Sequence, residues 1–270
     1  MRGRRVRVFK GEANDMDEAE RIEIMSKWRI SFWKKLEELN LKSSCVYNAD
    51  QTGLFHNKMP NRLYVNESEQ KTTKGVKQMK SKDRVTLMIC TAADGTKVPL
   101  SIIGKANKPE CFRLCENDKV PLAYKGQRNA WFDKEVTMWW LLHVFWPHHL
   151  RVHGDVPCLL LLDNASVQTN LDLSLLPANL HMMYFPPNVT NTHQPADMGM
   201  IARLKVGYKL EMLQRLVAIF DLDGGFQQAA ISHGRQQRGC KGLAYGGKAH
   251  ILDAMDILDS GKYAYNDSIQ

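Results

Sequence analysis

The sequence has no long hydrophobic run. None of its uninterrupted apolar stretches approaches the roughly 18 residues a membrane-spanning helix needs. The most apolar segment, Val136 to Trp146, contains His143 and is followed by Pro147. It reads as a buried helix, and no membrane partner is expected. Behind Met1-Arg2-Gly3-Arg4-Arg5 there is no apolar core of a secretion signal, so export is not expected. Cysteine is sparse: six in 270 residues are too few for a disulfide scaffold, which points to a reducing compartment. Acidic residues are outnumbered, 29 against 37 Lys and Arg, for a net charge of +8. That excess admits nucleic acid as a partner without establishing it. With 44% hydrophobic and 24% charged residues, the composition is that of a folded chain long enough to bury a core.

What is present falls into order along the chain. Residues 1–10 carry five basic residues and no acid, and 1–19 read as a basic, then acidic arm. Met25, Trp28, Phe32, Leu36 and Leu39 recur every three or four residues, one face of a helix. Cys45 to Asn48 reads as a strand ending at Asp50, with Thr52-Gly53 turning the chain. Arg84–Thr91 and Lys97–Ile103 read as a hairpin around Asp94-Gly95. The intervening segment, roughly 57–83, is a polar loop rich in lysine. Another loop, holding Cys111 and Cys115, follows Ile103. Asp133 caps an expected helix over 134–146. Val156 to Asp163 is a continuous apolar run, as in a strand covered on both faces. Leu180 to Phe185 is a further strand, stopped by Pro186-Pro187. Ile201, Leu204, Tyr208, Met212, Leu216 and Ile219 mark a long amphipathic helix. Residues 221–248 are a glycine-rich loop or linker, and 249–270 a truncated helical segment. A hairpin feeding into buried strands and helices predicts a mixed α/β sheet.

Three aspartates hold similar places in this map. Asp50 follows a strand, Asp163 ends the most apolar strand, and Asp197 opens the long helix. In an open α/β sheet such positions converge on one edge. Three carboxylates together repel one another unless a cation neutralises them, and hard oxygen donors suit Mg²⁺ or Mn²⁺. Two such ions about 3.5–4 Å apart support phosphoryl transfer. Taken singly, each aspartate is equally well a turn or helix cap; their joint placement is what points to chemistry.

The words around them carry a resemblance. Tyr47-Asn48-Ala49-Asp50-Gln51-Thr52-Gly53-Leu54-Phe55, Lys82-Asp83-Arg84-Val85-Thr86, Leu161-Leu162-Asp163-Asn164-Ala165-Ser166 and Pro186-Pro187-Asn188-Val189-Thr190 with Gln194-Pro195-Ala196-Asp197-Met198-Gly199 resemble the motifs of the pogo/Tigger branch of Tc1/mariner transposases. The offset of 34 between Asp163 and Asp197 matches that branch. Gln51 stands where the branch usually carries Glu. The resemblance implies a DDE endonuclease domain over 20–220, a ribonuclease H-like mixed sheet flanked by helices, and nuclear work on transposon ends and target DNA. It assigns Asp50, Asp163 and Asp197 as catalytic ligands of two Mg²⁺ or Mn²⁺ ions, supported by Asn164 and Gln194. It allows a homodimer, and equally a domesticated or decayed derivative that binds DNA without cutting it.

Lys71, Lys74, Lys77, Lys80, Lys82 and Arg84, opposed only by Asp83, form a second basic patch. Lys77, Lys80, Lys82 and Arg84 are the candidates for the DNA backbone, since Lys and Arg displace counterions from phosphates. Each patch, 1–10 and 71–84, carries +5, so the remaining chain is slightly acidic. Arg203, Lys205 and Lys209 have a weaker claim. Gly242 to Ala249 lacks the Ser or Thr of a phosphate loop, so no nucleotide cofactor is expected. Cys111, Cys115 and the histidines from His143 to His153 complete no zinc pattern. Cys158 reads as a small buried hydrophobe.

Overall fold

The computed structural model describes residues 17–56, 84–109, 112, 122–164, 171–187, 189 and 193–222, with side chains as far as 214 in the last stretch. The two termini, the Lys-rich segment with Lys77, Lys80 and Lys82, and the glycine-rich and C-terminal segments lie outside them.

Six strands form one sheet: β1 (Val46–Leu54), β2 (Val85–Ala92), β3 (Ser101–Gly104), β4 (Ala123–Gly126), β5 (Cys158–Leu162) and β6 (Leu180–Tyr184). Their order is β4-β3-β2-β1-β5-β6. β1 runs antiparallel to β2 and parallel to β5, so it is the hinge between a hairpin half and a parallel half. All five residues of β5 are buried, as its unbroken apolar run requires.

Alternation along β1 divides the core. Tyr47 and Ala49 face one side, where they join Cys90, Cys158 and Leu160 beneath α2 (Lys134–Trp140) and α3 (Trp146–His153). On the other side Val46 packs with Leu159, Leu161 and Phe185 under Trp28 and Phe32 of α1 (Glu18–Glu38). Trp28 stacks on Phe185 at 4.8 Å and donates its indole N–H to the Tyr184 carbonyl at 2.8 Å. At the far end of that same face Leu54, Val85, Leu87 and Ile102 pack against Tyr208 and Met212 of α4 (Ile201–Leu222). The two helices thus anchor to opposite ends of β1, and the residues it presents between them are polar: Asn48, Asp50 and Thr52.

Four local expectations are corrected. Thr52-Gly53 does not turn the chain; β1 continues through it, pairing Gly53 with Thr86. Glycine fits because the Arg84 side chain crosses there: a Cβ on Gly53 would lie 3.0 Å from Arg84 Cδ. The second hairpin strand begins at Ser101, and Lys97 makes only an isolated bridge to Thr91. The presumed loop after Ile103 contains β4, which pairs parallel to β3. The helix from Asp133 does not stop before Pro147 but runs to His153 through a π-helical turn at Leu141–Phe145. That wider turn admits the proline, which has no N–H to give a regular ladder.

Candidate active site

Backbone geometry brings the three aspartates together. The last rungs between β1 and β5 pair Val46 with Leu159 and Asn48 with Leu161. Two residues further on each strand stand Asp50 and Asp163, on the same face and on adjacent strands, which run about 4.8 Å apart. Asp197 arrives from another direction. It lies in the turn Ala196–Met200 that leads into α4, so it precedes the long helix rather than opening it. Gly199 takes φ +125 there, a conformation side chains disfavour, and this kink separates the turn from the helix proper.

Electrostatics registers the convergence. Asp50 Oδ1 accepts the Gln51 N–H at 2.7 Å, which favours its charge. Burial and the neighbouring Asp197 and Asp163 nevertheless outweigh that bond and push its pKa up to about 7. The Asp197 carboxyl is also raised, by burial and by Asp163, although it is held down by its hydrogen bond with Asp50 and by Lys205. The residue as a whole is exposed, but its carboxyl turns toward Asp50. The two carboxyls titrate as a pair, and a hydrogen bond between them requires that one be protonated. Asp163 Oδ1 accepts the Asn164 N–H at 2.6 Å.

The donor set is all oxygen and anionic, the chemistry of a hard divalent cation. Such an ion would offset the repulsion that raises the pKa of Asp50 and Asp197. As they stand, no three His, Cys, Asp or Glu side chains among the described residues are drawn into a cage around a point. The residues fit a divalent ion in the chemistry of their donors.

The other candidates separate clearly. Gln194 is fully buried; its side-chain Nε2 donates to the Ala49 carbonyl at 3.3 Å, and its backbone carbonyl receives the Asp197 N–H at 3.1 Å. Asn164 touches the site through its backbone and is otherwise exposed. Arg84 is not with the aspartates. Its guanidinium lies 4.8 Å over the Trp131 ring, beside Gly53 on the opposite face of β1. On α4, Lys205 lies close enough to Asp50 and Asp197 for their charges to act on one another. Burial and Lys209 lower its pKa, while Asp50 and Asp197 oppose the shift. Its helical spacing from Asp197 is interrupted by the Gly199 kink, so periodicity did not single it out.

A mixed six-strand sheet flanked by helices gathers one acid from within β1, one from just past β5 and one from the turn before α4. The chain belongs to the DDE superfamily endonucleases, whose family model matches residues 82–231. Among curated proteins it is 35% identical over 178 residues to "Jerky protein homolog" of Homo sapiens, covering 63% of this chain and 30% of that protein. It is 29% identical over 230 residues to "Tigger transposable element-derived protein 7" of Homo sapiens, covering 80% of this chain and 38% of that one. The chain thus spans about a third of the length of these relatives. Among solved structures it resembles "Mos1 transposase paired-end complex with left transposon end" and "Crystal structure of the Mos1 mariner paired end complex with Mn". Each has a TM-score of 0.51 at 10% identity, over 76% of this chain and 53% or 54% of theirs. The likeness establishes the ribonuclease H-like fold. This is a DDE superfamily endonuclease domain, similar to the Jerky and Tigger-derived proteins.

Proposed function

We propose that this domain cuts and joins DNA by divalent-metal-dependent phosphoryl transfer, with Asp50, Asp163 and Asp197 as the ligands. The observation that carries the reading is the convergence of three acids from three segments, close enough that burial and their mutual repulsion raise the pKa of Asp50 and of Asp197. Bound there, two Mg²⁺ or Mn²⁺ ions would activate the attacking oxygen and stabilise the leaving one. Gln194 fixes the Asp197 turn against β1, and Asn164 orients Asp163 through its N–H. Lys205 offers a half-buried cation to the phosphate of a DNA strand lying over the carboxylates. Lys77, Lys80 and Lys82, outside the described residues, are candidates by charge alone for the flanking backbone, whereas Arg84 lies on the other face of β1 over Trp131. The substrates are DNA bearing transposon ends, then target DNA; the setting is the nucleus, and the assembly a homodimer.

The deciding assay measures Mn²⁺-dependent nicking of end-bearing DNA by the 270-residue chain and by Asp163→Asn. A loss on the order of 10³-fold supports the assignment. Unchanged cleavage in the variant overturns it. A second reading, a domesticated DNA-binding protein without catalysis, is favoured by the similarity to the Jerky homolog and by Gln51 in place of Glu. DNA binding with neither Mn²⁺ uptake nor nicking would establish that reading instead.

A further inference from the structure

The three segments that carry the aspartates are tied by one side chain that is not itself acidic. Asn48 lies on β1 two residues before Asp50, on the same face, and is 6% exposed. Its Nδ2–H donates to the Leu161 carbonyl at 3.2 Å, across 113 residues of sequence. Its Oδ1 accepts the Ala196 N–H at 3.0 Å, across 148 residues. Leu161 stands two residues before Asp163, and Ala196 immediately before Asp197. One buried amide therefore touches the backbone next to each of the other two acids.

Its position gives the contact consequence. Asn48 and Leu161 form the last rung between β1 and β5, after which the ladder ends and the acids follow. The Ala196 N–H belongs to the first turn of a helical segment, where no carbonyl within that turn can receive it. Only a group that donates and accepts at once serves both places; a carboxylate lacks the donor and an aliphatic side chain lacks both.

We propose that Asn48 is a positioning residue. It sets the separation of the three aspartates by clamping the β5 end and the Asp197 turn to β1. The proposal rests on the divalent-metal reading above for its functional meaning, but the clamp itself can be read without metal.

The test titrates Mn²⁺ alone into the full chain by calorimetry, comparing wild type, Asn48→Leu, the milder Asn48→Ala, and Thr86→Val. Thr86 supplies the control. It is fully buried on β2 and donates to the Ala130 carbonyl at 2.6 Å, so its loss removes a buried hydrogen bond away from the acids. Amide exchange at Ala196, followed by NMR, is measured in parallel. Either Asn48 variant that folds should bind Mn²⁺ about tenfold or more weakly. Its Ala196 amide should exchange about tenfold faster. Thr86→Val should leave both within roughly twofold, because the groups next to the acids keep their bonds. Wild-type Mn²⁺ affinity in the Asn48 variants, or equal losses in Thr86→Val, overturns the proposal. Wild type taking up no Mn²⁺ would refute the metal reading instead. Exchange at Ala196 would then decide the clamp alone: acceleration confined to the Asn48 variants upholds it, and no acceleration overturns it.

Discussion

The two faces of β1 carry one strand into opposite chemistry. On the face toward α2 and α3 lie Tyr47, Ala49 and the buried thiols of Cys45, Cys90 and Cys158. There burial pushes the Cys158 thiol up to about 12 and holds Tyr47 and Cys90 well above their ordinary range. His149 is bonded on both ring nitrogens. Its Nε2–H donates to the Val156 carbonyl at 3.0 Å, its Nδ1 accepts from the Tyr47 hydroxyl at 3.1 Å, and burial lowers its pKa. On the face between α1 and α4, burial acts on Asp50, which has two other acids and Lys205 for neighbours. Perturbation alone therefore does not mark function. It silences a group sealed among apolar partners, and it loads a group whose neighbours compete for one charge.

The comparison can be broken at several points. The largest effect should come from the sealed face. Trp140 is fully buried there, and Trp140→Ala should cost about 3–5 kcal/mol in denaturant unfolding. Mn²⁺ affinity of the folded fraction should stay close to wild type.

The open face should show the opposite pattern. The folded pKa of Asp50 lies above its unfolded value, so the folded state binds the extra proton between about pH 4 and pH 7. Stability from this group is present at acid pH and lost as pH rises through that window. Asp50→Asn escapes the penalty. Relative to wild type it should therefore gain on the order of 2–4 kcal/mol between pH 4 and pH 8 in metal-free buffer. Paired urea titrations at the two pH values measure this; a constant difference would break the account.

A smaller effect is expected from Lys205→Met. It should weaken DNA binding roughly uniformly across sequences and reduce the slope of log affinity against log salt by about one. Fluorescence anisotropy at several salt concentrations provides the measurement. Smallest of all, Cys90 and Cys158 should resist alkylation in the folded chain, because buried thiols with raised pKa hold little thiolate.

Much of this arrangement was legible beforehand, for physical reasons that differ by element. The run at Cys158–Leu162 is apolar because both faces are covered, and it announced β5 and the acid that ends it. The face of α1 was legible from the spacing of Met25, Trp28, Phe32 and Leu36, since helical periodicity is local. β4 was not: its four half-buried residues, Ala123–Gly126, have neither alternation nor an apolar run, and pairing with β3 is what holds them. The continuation of β1 through Thr52-Gly53 was hidden because its cause, the pairing of Gly53 with Thr86 on β2, lies far away in sequence. Lys205 and Asn48 belong to the same class. Each acts on residues distant in sequence, and no spacing rule connects Asn48 to Leu161 and Ala196.

The central claim is that Asp50, Asp163 and Asp197 form one divalent-ion centre. Electron paramagnetic resonance of free Mn²⁺ tests it most directly, titrating the ion into wild type and into Asp50→Asn, Asp163→Asn and Asp197→Asn. Uptake by wild type, with affinity lowered about tenfold or more by each single substitution, is the result this account predicts. Equal uptake by wild type and the three variants would contradict it.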